Sequence, residues 1–175
     1  MEKADIIVIG AGIAGASAAA ELAADASVTV LEMEAQPGYH ATGRSASYFA
    51  AAYGKPVIRE ITASCESFFL HPPDGFTEAD LMRPRDCMFF AREDQAGSLR
   101  AMHAEYPGLE PLDPDAVRKR VPIFSETYLH GALREPRGGV LDVVALLQGY
   151  LRQCRRRGGQ LLNDHRVDSL EWRGG

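Results

Sequence analysis

Apolar residues fall in short blocks closed by glycine or proline, and the blocks alternate between two periods. Residues 5–9 read Asp-Ile-Ile-Val-Ile, a β-branched run of the kind that fills a buried parallel strand. Residues 16–24 are rich in alanine and predict a helix. Residues 27–31, Ser-Val-Thr-Val-Leu, predict a second strand. Helical spacing returns at Ile58, Ile61, Cys65, Phe68 and Phe69, which predicts a helix over 56–70 stopped by His71-Pro72-Pro73. A short strand is expected at 87–90 and a helix at 95–106. A second helix opens on Asp113-Pro114, with Asp113 as N-cap and Pro114 in the first turn, and ends near Pro122. Residues 129–133 read as a strand, and 142–157 as an amphipathic helix ended by Gly158-Gly159. Residues 160–162 and 166–172 read as strands. No internal repeat or low-complexity tract interrupts this order.

The turn between the first strand and the first helix is Gly10-Ala11-Gly12-Ile13-Ala14-Gly15, and the second strand ends in Glu32, twenty residues after Gly12. Strand, G-x-G-x-x-G, helix, strand and acid in this order make a dinucleotide-binding unit. Gly10 permits the tight turn, Gly12 lets the backbone approach a pyrophosphate, and Gly15 allows close packing of helix on strand. The helix N-terminus offers unpaired N–H groups and a partial positive charge to phosphate. Glu32 is placed to accept from a ribose diol and would repel a 2′-phosphate, which leaves FAD or NAD and disfavours NADP.

The stretch after Glu32 favours FAD. Pro37 and Gly38 break any helix early, and Thr42, Gly43, Arg44 and Ser45 supply small residues, hydroxyls and a guanidinium. Residues 47–52 could open another helix, placing more N–H groups beside a longer cofactor. The wording E-x-x-x-x-P-G-x-x-x-T-G-R-S-A, with Gln36-Pro37-Gly38-Tyr39-His40 before Thr42-Gly43-Arg44-Ser45-Ala46, resembles the D-amino-acid oxidase superfamily. Within it, the chain most resembles bacterial D-arginine dehydrogenase-like proteins. Weaker agreement continues at Tyr53-Gly54, Phe68-Phe69, Pro72-Pro73 and Gly149-Tyr150-Leu151.

The resemblance implies an α/β fold: a Rossmann-type FAD-binding domain carrying an inserted α+β portion of a substrate domain. The FAD-binding part would cover 1–54, the inserted portion 55–138, and the return to the FAD domain 139–175. Noncovalent FAD is implied. Gly12, Ile13, Ala14 and Gly15 would meet the pyrophosphate, Glu32 and Met33 the adenosine end, and Thr42, Gly43, Arg44, Ser45, Ala46 and Ser47 would run beside pyrophosphate and flavin. Val167 would meet the adenine through its backbone. The substrate-side candidates are Tyr48, Tyr53 and Cys87. Tyr48 stands where the arginine-oxidising relatives would have histidine, and Cys87 where they carry an acid able to pair with a cationic side chain. Asp86 is the neighbouring carboxylate that could stand in. The implied reaction is oxidation of the C–N bond of a D-amino acid to an imine, then to a 2-oxo acid and ammonia. The alternatives are another amine oxidase of the same fold, of glycine or sarcosine type, an NAD-binding module, or an inactive truncated piece.

Composition adds exclusions. With 46% hydrophobic and 25% charged residues, the chain has the make-up of a folded globular protein. A net charge of −5 gives no nucleic-acid footprint, and Arg152, Arg155, Arg156 and Arg157 read as the solvated end of a helix. Cys65, Cys87 and Cys154 have neither disulfide nor metal spacing, which fits a reducing cytoplasm. The apolar N-terminus has Lys3 balanced by Glu2 and Asp5, so it lacks the positive region of a signal peptide, and no run reaches a membrane span. No Ser/His/Asp, Cys/His or paired-carboxylate set stands out. None is needed, because a flavin can accept hydride from the α-carbon of an amine. The electron acceptor is not legible. The end at Arg173-Gly174-Gly175 reads as a turn after a strand, so further strands are expected beyond it.

Overall fold

A computed structural model of the protein describes residues 3–125 and 127–172. The chain forms two compact units: Met1–Ser47, Leu70–Leu81 and Asp142–Gly175 make the first, Tyr48–Phe69 and Met82–Leu141 the second.

In the first unit, β1 (Ile6–Ile9), α1 (Ile13–Leu22) and β2 (Val28–Leu31) follow one another directly, and α6 (Val143–Arg156) leads into β9 (Gln160–Leu162). The three strands are parallel in the order β1-β2-β9. Ile6 pairs with Val28 and Thr29 with Gln160, so β2 is the central strand. This is half of a doubly wound nucleotide-binding sheet. Helices α1 and α6 share a core in which Ala19, Ala20 and Ala23 meet Val28, Val30 and Cys154, while Ala16 packs with Leu147 and Leu151. The alanines explain the close approach: with only a methyl on the inner face, α1 lies tight on the sheet. The helix 142–157 is present, with the Asp142 carboxylate accepting from Ala145 N at 2.8 Å and Gly158 at φ +89° closing it.

Two sequence expectations change here. β1 is not buried on both faces: Ile7 and Ile9 are 59% and 56% exposed, because both helices pack on the opposite face, against Ile6 and Val8. Residues 166–172 form no strand, since no described residue offers them a ladder of hydrogen bonds, and Leu170 and Trp172 lie exposed. The turn expected at Arg173-Gly174-Gly175 lies outside the described residues.

The second unit holds two antiparallel sheets. One has the order β3-β8-β4, from β3 (Tyr48–Phe49), β4 (Met82–Pro84) and β8 (Gly139–Leu141). The other has the order β5-β7-β6, from β5 (Cys87–Ala91), β6 (Glu110–Leu112) and β7 (Gly131–Glu135). The helix expected at 47–52 is absent. Ser47 takes φ +53°, and Tyr48 and Phe49 pair instead with Val140 and Gly139. That pairing puts Tyr48 and its neighbours in the second unit, and the chain passes between the units after Ser47, Phe69, Leu81 and Leu141. The helix expected over 56–70 is broken into α2 (Pro56–Ser64) and α3 (Glu66–Leu70). The break follows Ser64, whose hydroxyl donates back to Ile61 O at 2.7 Å. Helix α4 (Ala96–Glu105) and helix α5 (Pro114–Arg120) lie where periodicity places them, and the Asp113 carboxylate caps α5 by accepting from Ala116 N at 2.7 Å. No helix among the described residues is long and apolar enough to cross a membrane.

Candidate cofactor site

A cavity of about 680 Å³ opens at the carboxyl ends of β1 and β2. Parallel α/β sheets place nucleotides there because the loops of successive strands diverge at that edge. Its wall includes Gly10, Gly12, Ile13, Ala14, Glu32, Met33, Thr42 and Val167.

Gly10 takes φ +96°, the left-handed turn that only glycine enters without strain. A Cβ on Gly15 would collide with the Gly10 carbonyl oxygen and stand 3.2 Å from Val8 Cγ1, so α1 crosses β1 at glycine distance. A Cβ on Gly12 would lie 3.1 Å from Thr42 Oγ1, which leaves the phosphate-facing edge bare backbone.

Two side chains stitch this turn together. The Glu32 carboxylate, 6% exposed, accepts from Ala11 N at 2.7 Å and from Glu34 N at 3.0 Å. The Thr42 hydroxyl oxygen accepts from Ile13 N at 2.9 Å and caps α1 from 29 residues away. Gly38, at φ +77°, turns the intervening loop, and Gly43 N donates to Gly38 O at 2.7 Å, which sets Thr42 over the helix end. The amides of Gly12, Ala14 and Gly15 have no protein acceptor among the described residues, and Gly12 and Ala14 line the cavity.

After β9, Asp164 adopts φ +57° and the chain bends back over the end of β2, with Asp164 N donating to Glu34 O at 3.2 Å and His165 N to Glu32 O at 2.8 Å. Val167 therefore reaches the cavity from an irregular segment rather than from a strand. His165 and Arg166 come with it, and Leu31, Gly38, Tyr39, His40 and Ala41 also line the wall, although the motif containing Gly38, Tyr39 and His40 gave them no expected contact with the cofactor. His40 Nε2 lies 2.8 Å from Glu34 Oε1. The bend at Asp164 carries no sequence signal of its own, so His165 and Arg166 were not findable from pattern.

The rest of the Thr-Gly-Arg-Ser segment stands off the wall. The Arg44 guanidinium lies over the Tyr39 ring, 5.0 Å from its centroid. Ser45 Oγ donates to Thr42 O at 3.0 Å and lies 3.2 Å from Ser47 Oγ. Gly15, Gly43, Arg44, Ser45, Ala46 and Ser47 thus surround the cavity lining rather than form it.

The substrate-side candidates belong to the second unit, where Tyr48 and Cys87 lie near a residue that sequence reading missed. Glu135, 1% exposed, ends β7 directly opposite Cys87 on β5. Burial pushes its carboxyl up, against the pull of the Ala52 amide. Burial, with help from Glu135, also pushes the Cys87 thiol up. Tyr48 donates its hydroxyl to Arg85 O, and burial together with Cys87, Asp86 and Glu135 pushes its phenol up to about 12. Tyr53 is 70% exposed on the turn after Ala52. Asp86 is not free to replace an acid at position 87, because its carboxylate accepts from Arg134 Nε at 2.5 Å and is held below the usual range by that bond. Among the described residues no group of three or more His, Cys, Asp or Glu is placed to hold a metal ion.

A glycine turn, a buried acid at the end of β2 and a fringe of free amides define the class as a nucleotide-binding α/β unit. The sequence profile of the DAO family, FAD dependent oxidoreductase, matches residues 5–175, and the chain belongs to that family. Solved structures agree on the fold. L-alpha-glycerophosphate oxidase from Mycoplasma pneumoniae superposes with a TM-score of 0.80 at 14% identity, over 94% of this chain and 45% of that one. Glycine oxidase from Geobacillus kaustophilus gives 0.79 at 18%, over 94% and 47%, and L-proline dehydrogenase from P. horikoshii gives 0.75 at 18%, over 93% and 44%. The chain spans less than half the length of these structures.

Proposed function

We propose that this chain supplies the dinucleotide end of an FAD site in an enzyme that oxidises the C–N bond of a D-amino acid. The observation that carries the reading is the cavity edge where Gly12 and Ala14 present unclaimed N–H groups beside the Thr42 hydroxyl, with the Glu32 carboxylate behind it. These donors suit a pyrophosphate. Thr42, already accepting from Ile13 N, keeps its own O–H to donate. Glu32 spends one lone pair per oxygen on backbone amides and keeps others for a ribose diol. Its charge excludes a 2′-phosphate. Met33 and Val167 offer contact to a base, and Gly43 and Ser45 hold the Thr42 backbone in place, through Gly43 N on Gly38 O and Ser45 Oγ on Thr42 O.

When bound, FAD supplies the two-electron acceptor for hydride leaving the substrate α-carbon. The nitrogen lone pair forms the C=N bond as that C–H bond breaks, a proton leaves the nitrogen, and water then yields the 2-oxo acid and ammonia. The protein's part is to orient the C–H bond and to favour the neutral amine. Tyr48, Tyr53 and Cys87 are the residues of this chain proposed to face the substrate. No carboxylate stands free at position 86 or 87, so an uncharged side chain on the substrate is favoured over arginine.

The test is reconstitution with FAD, removal of free flavin, and anaerobic bleaching of the bound flavin by a panel of D- and L-amino acids, glycine and sarcosine. Bleaching by D-amino acids is expected. Bleaching by glycine or sarcosine alone would assign the glycine-type reading instead, and absence of bound flavin would overturn the assignment for this chain.

A further inference from the structure

The turn after β9 brings to the cavity a side chain that the glycine motif does not assign. Three hydrogen bonds fasten this turn to the loop after β2. Asn163 Nδ2 donates to Ala35 O at 3.1 Å, Asp164 N to Glu34 O at 3.2 Å, and His165 N to Glu32 O at 2.8 Å. Asp164 takes φ +57°, and the chain bends there so that His165, Arg166 and Val167 reach the wall that Glu32 and Met33 also line. His165 is therefore bonded through its backbone to the residue whose carboxylate is proposed to meet the ribose. Its ring is tied as well, with Nδ1 2.6 Å from Asn163 O.

A carbonyl oxygen only accepts, so the proton of that bond resides on Nδ1. In a neutral imidazole the other nitrogen, Nε2, then carries a lone pair and no proton. The Asn163 carbonyl thus turns this wall residue into an acceptor. Its neighbour Arg166 is a donor only, with Nε 3.1 Å from Asp168 Oδ1. At position 6 of a purine, an acceptor suits the amino group of adenine and opposes the oxo group of hypoxanthine or guanine. Resting on the reading of this cavity as the dinucleotide end of an FAD site, we propose that His165 is a specificity-determining residue whose Nε2 accepts from the adenine amino group. It adds a side-chain reader of the base to the backbone contact expected at Val167.

Flavin fluorescence titration of the 175-residue chain, with FAD and with the analogue carrying hypoxanthine in place of adenine, tests this without turnover. Wild type should bind FAD about tenfold more tightly than the analogue, since Nε2 gains an N–H in the first and meets an oxygen in the second. His165→Phe keeps a ring on the wall and removes the acceptor. It should bring the ratio to about twofold by weakening FAD, with the analogue bound as before. His165 is exposed, so the fold should survive the change. Nitrogen-15 spectra of the imidazoles at about pH 8 give a second readout. The His165 proton should reside on Nδ1 in the free chain, and the Nε2 resonance should shift when FAD is added. A proton on Nε2, a wild-type ratio near one, or an unchanged ratio in His165→Phe would each overturn the proposal while leaving the FAD reading in place. Failure of the wild-type chain to bind FAD would overturn both.

Discussion

Gly15→Ala is the sharpest test of the cofactor cradle. An added methyl would enter well inside 3.0 Å of the Gly10 carbonyl oxygen, closer than real Cβ atoms come, and 3.2 Å from Val8 Cγ1. The obstacle is backbone, so no rotamer change relieves it. Helix α1 must lift from the β1 turn, or the Gly10–Gly12 turn must distort. Lifting α1 strips contacts from Ala16, Ala19 and Ala20, all fully buried against β2 and α6. Overpacking of this kind costs about 1–3 kcal/mol, and the backbone obstacle puts Gly15→Ala near the top, at about 3 kcal/mol. The same shift moves the amides of Ala14 and Gly15 relative to Gly12, so FAD affinity should fall about thirtyfold, equivalent to about 2 kcal/mol. Urea denaturation of the apo chain reads the first quantity, and flavin fluorescence titration the second. Gly97→Ala is the control. A Cβ there meets nothing within 4 Å, and it sits in the first turn of α4, so the substitution should be neutral or stabilise by about 0.5–1 kcal/mol. Wild-type stability together with wild-type FAD affinity in Gly15→Ala would refute the packing argument.

Thr42→Val removes the acceptor for Ile13 N, so the apo chain should lose about 1 kcal/mol and FAD should bind about fivefold more weakly, with Thr42→Ser restoring both in the same titrations. Asp142→Ala uncaps α6 and should cost about 1 kcal/mol in urea denaturation with no direct effect on the cavity. Tyr48 should titrate late: its phenol lies at about 12 against an ordinary 10.0, so the folded state holds the proton more tightly than the unfolded chain. Its stabilising contribution is therefore intact below pH about 10 and is lost as pH rises toward about 12, which phenolate absorbance compared between wild type and Tyr48→Phe will show.

What could be read from the sequence was local. Gly10, Gly12, Gly15 and Glu32 act within one β-α-β unit, and each answers to a constraint that a short motif encodes: a positive φ, a close approach, a strand-end acid. Asp113 and Asp142 were legible for the same reason, because a cap and the amide it serves lie three residues apart. What was illegible depends on distant partners. Tyr48 and Phe49 look helical in isolation and become a strand only because Gly139 and Val140 come alongside. Val167 reaches the cavity through a left-handed Asp164 rather than a strand. Glu135 reads as one more charge in Arg-Glu-Pro-Arg, and its burial comes from pairing opposite Cys87 and bonding to Ala52.

The structural likeness to a glycerophosphate oxidase, a glycine oxidase and a proline dehydrogenase at 14–18% identity needs a physical account. Little of this fold depends on particular large side chains. In the first unit backbone meets backbone at Gly15 on Gly10, while Gly12 lies beneath the Thr42 hydroxyl and Gly159 against the Cys154 thiol. Substitution elsewhere costs packing that neighbours can absorb, whereas a methyl on Gly15 displaces a helix. The donors at the N-terminus of α1 are main-chain amides, so they survive changes in most side chains around them. The second unit works differently. Tyr48, Cys87 and Glu135 meet there through their side chains, and exchanging any of them alters charge or shape without touching the glycines of the nucleotide turn. Substitutions at Tyr48, Tyr53 and Cys87 should accordingly leave FAD affinity within about twofold while altering which amines bleach the flavin, whereas a change at Gly15 should weaken FAD whatever the substrate.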